Sequence, residues 1–121
     1  MYSMPSLPEK RTEKIRENIT LEAFFSLISD SDRAFLLVGE LDRFIPTCCA
    51  MGNGGGGWIV LGATLKEDDL PLVEGVPDAA SLEEQLTLFL QDSGIVNPVS
   101  YFRVISSAGK KIMAARIEPA G

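Results

Sequence analysis

The chain has 121 residues, 45% of them hydrophobic and 23% charged, with no histidine and a net charge of −6. This length and composition fit one folded domain and exclude a wholly disordered chain. The missing histidine excludes histidine-based triads and histidine zinc sites.

Cys48 and Cys49 are the only cysteines, so neither a disulfide framework nor a four-cysteine zinc site can be built. We expect two reduced, buried, apolar side chains on one helix. No apolar run approaches the roughly 20 residues of a membrane span, and Met1 to Lys10 has no apolar signal core. The expected compartment is the cytoplasm, with no membrane contact, no metal and no cofactor. An acidic domain repels phosphate backbones at long range. A route to nucleic acid therefore needs a local basic patch.

Residues 1–8 read as a flexible lead-in containing Pro5 and Pro8. Glu9 to Glu17 alternates charge without an apolar stripe, and the pairs Lys10–Glu13 and Lys14–Glu17 support at most a solvated helix. We expect residues 1–19 to form an arm, flexible or marginally helical, and residues 20–121 to form one α+β domain. Thr20 is the N-cap of a helix over about 21–29, whose apolar face is Leu21, Phe24, Phe25 and Ile28. Ala34 to Gly39 is a short apolar run with the length of a buried strand. Asp42 is a cap for the next helix, which carries Leu41, Phe44, Ile45, Cys48 and Cys49 at helical spacing and ends near Gly52. Pro46 fits its first turn, where the backbone N–H has no intrahelical partner anyway.

Trp58 to Leu65 is the best strand candidate, followed by an acidic turn at Lys66 to Asp69 and a short strand at Leu72 to Val76. Ser81 and Glu84 form a capping box ahead of a helix that buries Leu82, Leu86, Phe89 and Leu90. Asp92 to Pro98 reads as a loop. Val99 to Ile105 and Lys110 to Ile117 form a C-terminal β-hairpin, with Gly109 available for positive φ. The expected fold class is α+β, a mixed β-sheet with helices packed on it as a two-layer or three-layer sandwich.

Gly52-Asn53-Gly54-Gly55-Gly56-Gly57 is the most unusual stretch. It satisfies G-x-G-x-x-G, but a dinucleotide fingerprint needs a strand before it and a helix after it. Here the order is helix and then strand, so an anion would face the negative end of the helix dipole. No Gly-Lys-Ser/Thr follows, which rules out a Walker A loop. Two readings stay open. One is a helix C-cap followed by a tight turn. The other is close approach of a partner to bare backbone, with successive N–H groups forming an anion nest.

The segment from Ala50 to Gly62 resembles the signature of Schlafen-type AlbA-like domains, which read A-F-A-N-T-x-G-G before an apolar strand ending in Gly. Ala50, Asn53, Gly56, Gly57 and Gly62 match at the right spacing. Glu74-Gly75-Val76 is similar to the family's apolar-Gly-Val step, and Lys110 to Gly121 to its closing strand and P-x-G segment. The resemblance spans about residues 20 to 121. It implies a DNA-binding module of the kind found in bacterial transcription regulators; some animal members cut RNA with a carboxylate cluster. This chain departs from the pattern in three places. The family's Glu-Phe-Lys strand is replaced by Phe35-Leu36-Leu37, so the carboxylate and the base are both missing there. Gly54 stands where the family has Thr, and the chain stops at Gly121 where the family usually continues. A metal-dependent nuclease needs carboxylates to hold Mg²⁺, so we expect no enzyme activity.

The leading expectation is a nucleic-acid-binding regulatory domain, its target DNA or RNA. The candidate contacts are Asn53, Gly54, Gly55, Gly56 and Gly57 of the turn, together with Arg103, Lys110 and Lys111 of the hairpin. The plain alternative for these three bases is a solvated hairpin surface. Trp58 and Tyr101 either stack on bases or pack against the sheet. Glu67, Asp68 and Asp69 read as a solvated turn. The second expectation is an acidic protein-interaction domain that forms a homo-oligomer, most simply a dimer, and has lost nucleic-acid contacts.

Overall fold

In the computed structural model, which describes residues 20–66, 71–96, 98–107 and 109–119, Thr20 caps the first helix as its position suggests. Its Oγ1 accepts from the Ala23 N–H at 3.1 Å and so satisfies one of the N–H groups that a helix start leaves unpaired. Helix α1 covers Leu21–Leu27. Strand β1, Arg33–Leu36, follows, then a 3-10 segment at Val38–Arg43. Helix α2 is Phe44–Gly54 and strand β2 is Gly57–Leu61. Strands β3, Ala63–Leu65, and β4, Pro71–Val73, precede helix α3 at Ala79–Ser93. Strands β5, Val99–Ser107, and β6, Lys110–Ile117, close the fold. The expected arm at residues 1–19, the acidic turn residues Glu67, Asp68 and Asp69, and the final Ala120-Gly121 lie outside the described residues.

The main sheet has the order β1-β2-β6-β5. β1 runs parallel to β2, and the other pairs are antiparallel. β3 and β4 form a separate two-stranded ribbon. One face of the sheet packs Ile59, Leu61, Met113, Ala115 and Ile117 against Phe44, Cys48 and Met51 of α2 and Leu82, Leu86 and Leu90 of α3. The other packs Trp58, Val60, Ile105, Ile112 and Ala114 against Leu21, Phe24 and Ile28 from α1 and the turn after it. The mixed α+β sandwich therefore has three layers. Fully burying one of these large apolar side chains contributes about 1.5–3 kcal/mol. No helix among the described residues is long and apolar enough to cross a membrane.

Several local expectations are corrected. The apolar run at Ala34 to Gly39 is a strand only to Leu36, because the Leu37 N–H donates to Glu40 Oε1 at 2.9 Å and bends the chain into the 3-10 segment. Asp42 is not the cap of α2: Arg43 stands at that position without a side-chain cap bond, and the 3-10 segment feeds directly into the helix. That helix passes Gly52 and ends only at Gly55, whose φ of 114° provides the left-handed cap. Trp58 to Leu65 is two strands, broken at Gly62. The Gly62 carbonyl accepts from the Glu74 and Gly75 N–H groups, both at 2.8 Å, which peels β3 away to pair with β4. Ser81 is not the cap of α3 but lies in its first turn. Asp78 is the cap, accepting from the Ser81 N–H at 3.1 Å and the Ser81 hydroxyl at 2.9 Å. α3 also continues through Asp92 to Ser93, where a loop is expected from sequence. Only Cys48 is buried; Cys49, on the outer face of α2, is exposed. Burial, and then the neighbouring Cys49, push the Cys48 thiol up to about 12, so it stays protonated and behaves as a small apolar group.

The Asp78 cap gives a pH signature. Hydrogen bonds from the Ser81 backbone N–H and then its hydroxyl hold the Asp78 carboxyl below its ordinary value. A depressed folded-state value means the contribution is fully present above the unfolded-state value, about pH 4, and is lost as pH falls through the lower folded-state value. Asp78→Asn keeps a good capping side chain but removes the titration. Thermal melts of the two proteins from about pH 3 to pH 7 should therefore converge at the acidic end. Parallel curves would show that the cap does not titrate.

Candidate functional site

The glycine turn joins α2 to β2 under tight backbone constraint. The Gly55 and Gly56 N–H groups both point at the Met51 carbonyl, the latter at 2.7 Å. The Trp58 N–H donates to the Asp32 carbonyl at 2.9 Å. Gly56 and Gly57 are buried. A Cβ on Gly56 would sit 2.6 Å from the Ile117 carbonyl oxygen, and one on Gly57 would collide with the Asp32 carbonyl. The close backbone approach that these glycines permit is therefore made by the chain itself. The N–H groups of Gly55 and Gly56 are aimed at one helix carbonyl, so they do not form an open anion nest. Asn53, Gly54 and Gly55 are exposed on the outer rim of the turn.

Next to this turn the strand register assembles a second feature. Arg33 on β1 stands opposite Trp58 on β2, Trp58 opposite Arg116 on β6, and Arg116 opposite Tyr101 on β5. The row across the sheet reads Arg, Trp, Arg, Tyr. Two residues further along the strands, Phe35 on β1 and Arg103 on β5 occupy the same face, because side chains alternate with period two. Each arginine lies near a ring: Arg33 is 5.9 Å from the Phe35 centroid, Arg103 is 5.8 Å from that of Tyr101, and Arg116 is 5.6 Å from that of Trp58. These distances lie within the range of cation–π attraction.

The three cations differ in how they are satisfied. Arg116 donates from Nη1 to the Gly57 carbonyl at 3.3 Å, and its Nε is 3.6 Å from Glu118 Oε2. The Ser100 hydroxyl donates to the same Glu118 oxygen at 2.6 Å. Arg33 and Arg103 form no ion pair among the described residues. Arg103 Nε is buried without a hydrogen-bond partner among them, a state that native structures seldom leave unexplained. Trp58 is only 5% exposed and lies edge-on to Phe24 at 5.4 Å. It packs in the sheet and is not available to stack on a base. Tyr101 is half-buried, 5.9 Å from Trp58.

The sequence-derived candidates thus divide. Arg103 lies on the same face, two residues along β5 from Tyr101 of the row, and the turn flanks the row through the Arg116–Gly57 bond. Lys110 and Lys111 sit at the opposite end of β6. Arg116 is six positions beyond Lys110 on β6, about 20 Å along a strand. Lys110 Nζ donates to the Val73 carbonyl at 3.2 Å, and the Lys111 carbonyl accepts from the Val76 N–H at 2.8 Å. These contacts brace β4 and the segment after it against β6. Arg33 and Arg116, which complete the row, do not stand out in the sequence. Their parity with Phe35 and Ala114 is visible there, but which strands lie side by side is not.

No family model matches the chain, and no curated protein matches it. Among solved structures it is similar to the N-terminal domain of a RecG-related protein of Nitrosomonas europaea, determined by solution NMR. That protein carries a provisional name as an ATP-dependent DNA helicase. The superposition has a TM-score of 0.57 and 14% identity, and covers 81% of this chain and 70% of that one. The likeness at that identity is one of fold: this chain is built as the N-terminal domain of that helicase-related protein is built.

Proposed function

We propose that the domain binds nucleic acid, with the arginine row as its phosphate contact and the rim of the glycine turn beside it. The observation that carries this reading is the convergence of Arg33, Arg103 and Arg116 on one sheet face in a chain of net charge −6. Two of the three have no carboxylate partner among the described residues. Arginine forks suit phosphate oxygens, and a local cationic strip can hold a polyanion that the rest of the surface repels. The helicase-related fold neighbour and the resemblance to Schlafen AlbA-like modules both support the reading. On that resemblance, a regulatory DNA-binding role without enzyme activity is the finer form of the proposal.

Fluorescence anisotropy with short labelled DNA and RNA tests it. Affinity should fall as salt rises, with a slope of about 2 to 3 in log–log form for three phosphate contacts. Arg116→Gln should weaken binding to every sequence and reduce that slope by about 1. Glu118→Gln should do the reverse and tighten binding by a few-fold, because Glu118 competes with phosphate for Arg116. Undetectable binding at low salt, or binding indifferent to salt, refutes the proposal. The homodimer reading calls for a contiguous apolar face. The exposed large apolar side chains Leu27, Leu65, Leu72, Leu88, Val96 and Val104 are spread over several elements. Sedimentation of the same samples reads the oligomeric state directly.

A further inference from the structure

From the depth and surroundings of the arginine row, we infer that it takes an unpaired nucleic-acid strand in preference to a duplex; this rests on the nucleic-acid reading above. Depth is the first argument. The three arginines are half-buried, and the Arg116 side chain is only 29% exposed. Duplex DNA is stiff over a persistence length of about 150 base pairs, so its phosphates cannot dip to meet recessed donors. A single strand can bend its backbone down to them.

Charge density is the second argument. A duplex carries one negative charge per about 1.7 Å of axis, and a single strand one per about 3.4 Å. The acidic remainder of the domain, which includes Asp32 and Glu118 next to the row, repels the denser ligand more strongly. The neighbours of the arginines supply the third argument. Tyr101 is half-buried between Arg116 and Arg103. An unpaired base can stack on a tyrosine ring or an arginine plane, whereas a base inside a duplex has no free face to offer. The row crosses four strands at about 4.8 Å each, so it spans about 14 Å. That reach suits a few nucleotides.

The test uses the full 121-residue chain and three labelled probes of about 12 nucleotides: a DNA strand, an RNA strand of the same sequence, and the matching DNA duplex. Anisotropy titrations run at about 50 mM and 200 mM salt. At least one of the two strands should bind about tenfold tighter than the duplex, and the two strand probes distinguish DNA from RNA as its source. Tyr101→Leu should lower strand affinity a few-fold and leave duplex affinity unchanged. Duplex binding equal to or tighter than that of both strands overturns this inference and leaves nucleic-acid binding standing. Failure of all three probes to bind overturns both. The unmodified protein decides the main comparison, so the result does not depend on whether any variant folds.

Discussion

Gly56→Ala is expected to destabilise the domain by about 3 kcal/mol, read as a lower urea midpoint with an unchanged slope. Two costs combine. At φ 86° an L-residue occupies the left-handed region, which costs about 1–2 kcal/mol. Its Cβ would also press to 2.6 Å from the Ile117 carbonyl and 3.0 Å from Pro119 Cδ. Ile117 pairs with Gly57 in the β2–β6 register, so the oxygen cannot retreat without disturbing the sheet. Overpacking of this kind costs about 1–3 kcal/mol.

The neighbouring glycines provide the controls. Gly54 lies in the last turn of α2, and a methyl group added there would meet nothing within 4 Å. Gly54→Ala should stabilise by about 0.5–1 kcal/mol through the gain in helix propensity. Gly55 is left-handed but equally open, so Gly55→Ala carries only the backbone cost, about 1–2 kcal/mol. The predicted order of stability is Gly54→Ala, unmodified protein, Gly55→Ala, Gly56→Ala. If the Gly55 and Gly56 variants prove equally stable, the turn is not packed as described.

Phe24→Ala should cost about 3–5 kcal/mol, the range for removing a buried aromatic. Phe24 is 0% exposed. It joins α1 to the sheet through Trp58 at 5.4 Å and touches Phe25 at 6.0 Å. α1 has only seven residues, too few to be stable in isolation. Its place on the sheet therefore depends on this contact and on Leu21 and Ile28. Trp58 is the sole tryptophan, so uncovering it should shift its fluorescence to longer wavelength before global unfolding. Leu27→Ala, at a position 46% exposed, should stay within about 0.5 kcal/mol of the unmodified protein. An unshifted emission maximum in Phe24→Ala would show that α1 does not cover the tryptophan.

Much of the architecture is legible along the chain because it depends on local periodicity and punctuation. Thr20, the i, i+3, i+4, i+7 face of α1, the face of α3 and the closing hairpin all rest on contacts between near neighbours. So does the order helix, glycine turn, strand: α2 ends in a left-handed glycine and β2 begins within three residues. The misjudged boundaries share one cause, a competition between two signals that the sequence leaves unresolved. Ser81 with Glu84 and Asp78 with Ser81 are both capping patterns, and the earlier one prevails because helical Ala79 and Ala80 extend α3 back to Asp78. Gly62 breaks an apolar run because its carbonyl serves Glu74 and Gly75, twelve or more residues away.

The candidate site is the least legible part. A residue's face follows from parity within its own strand, but its lateral neighbours follow from strand order, and that order is non-sequential here: β6 lies between β2 and β5. Arg33, Trp58, Arg116 and Tyr101 become one row only once that order is known. By the same means the tertiary structure separates Lys110 and Lys111 from the glycine turn. The amino-acid sequence alone determined the acidic balance, the α+β class and the position of the turn, since composition and short-range hydrogen bonding decide these. Tertiary structure decided what touches the turn and where the arginines meet, because sheet register couples residues as far apart in the chain as Gly57 and Ile117 and no local pattern encodes it.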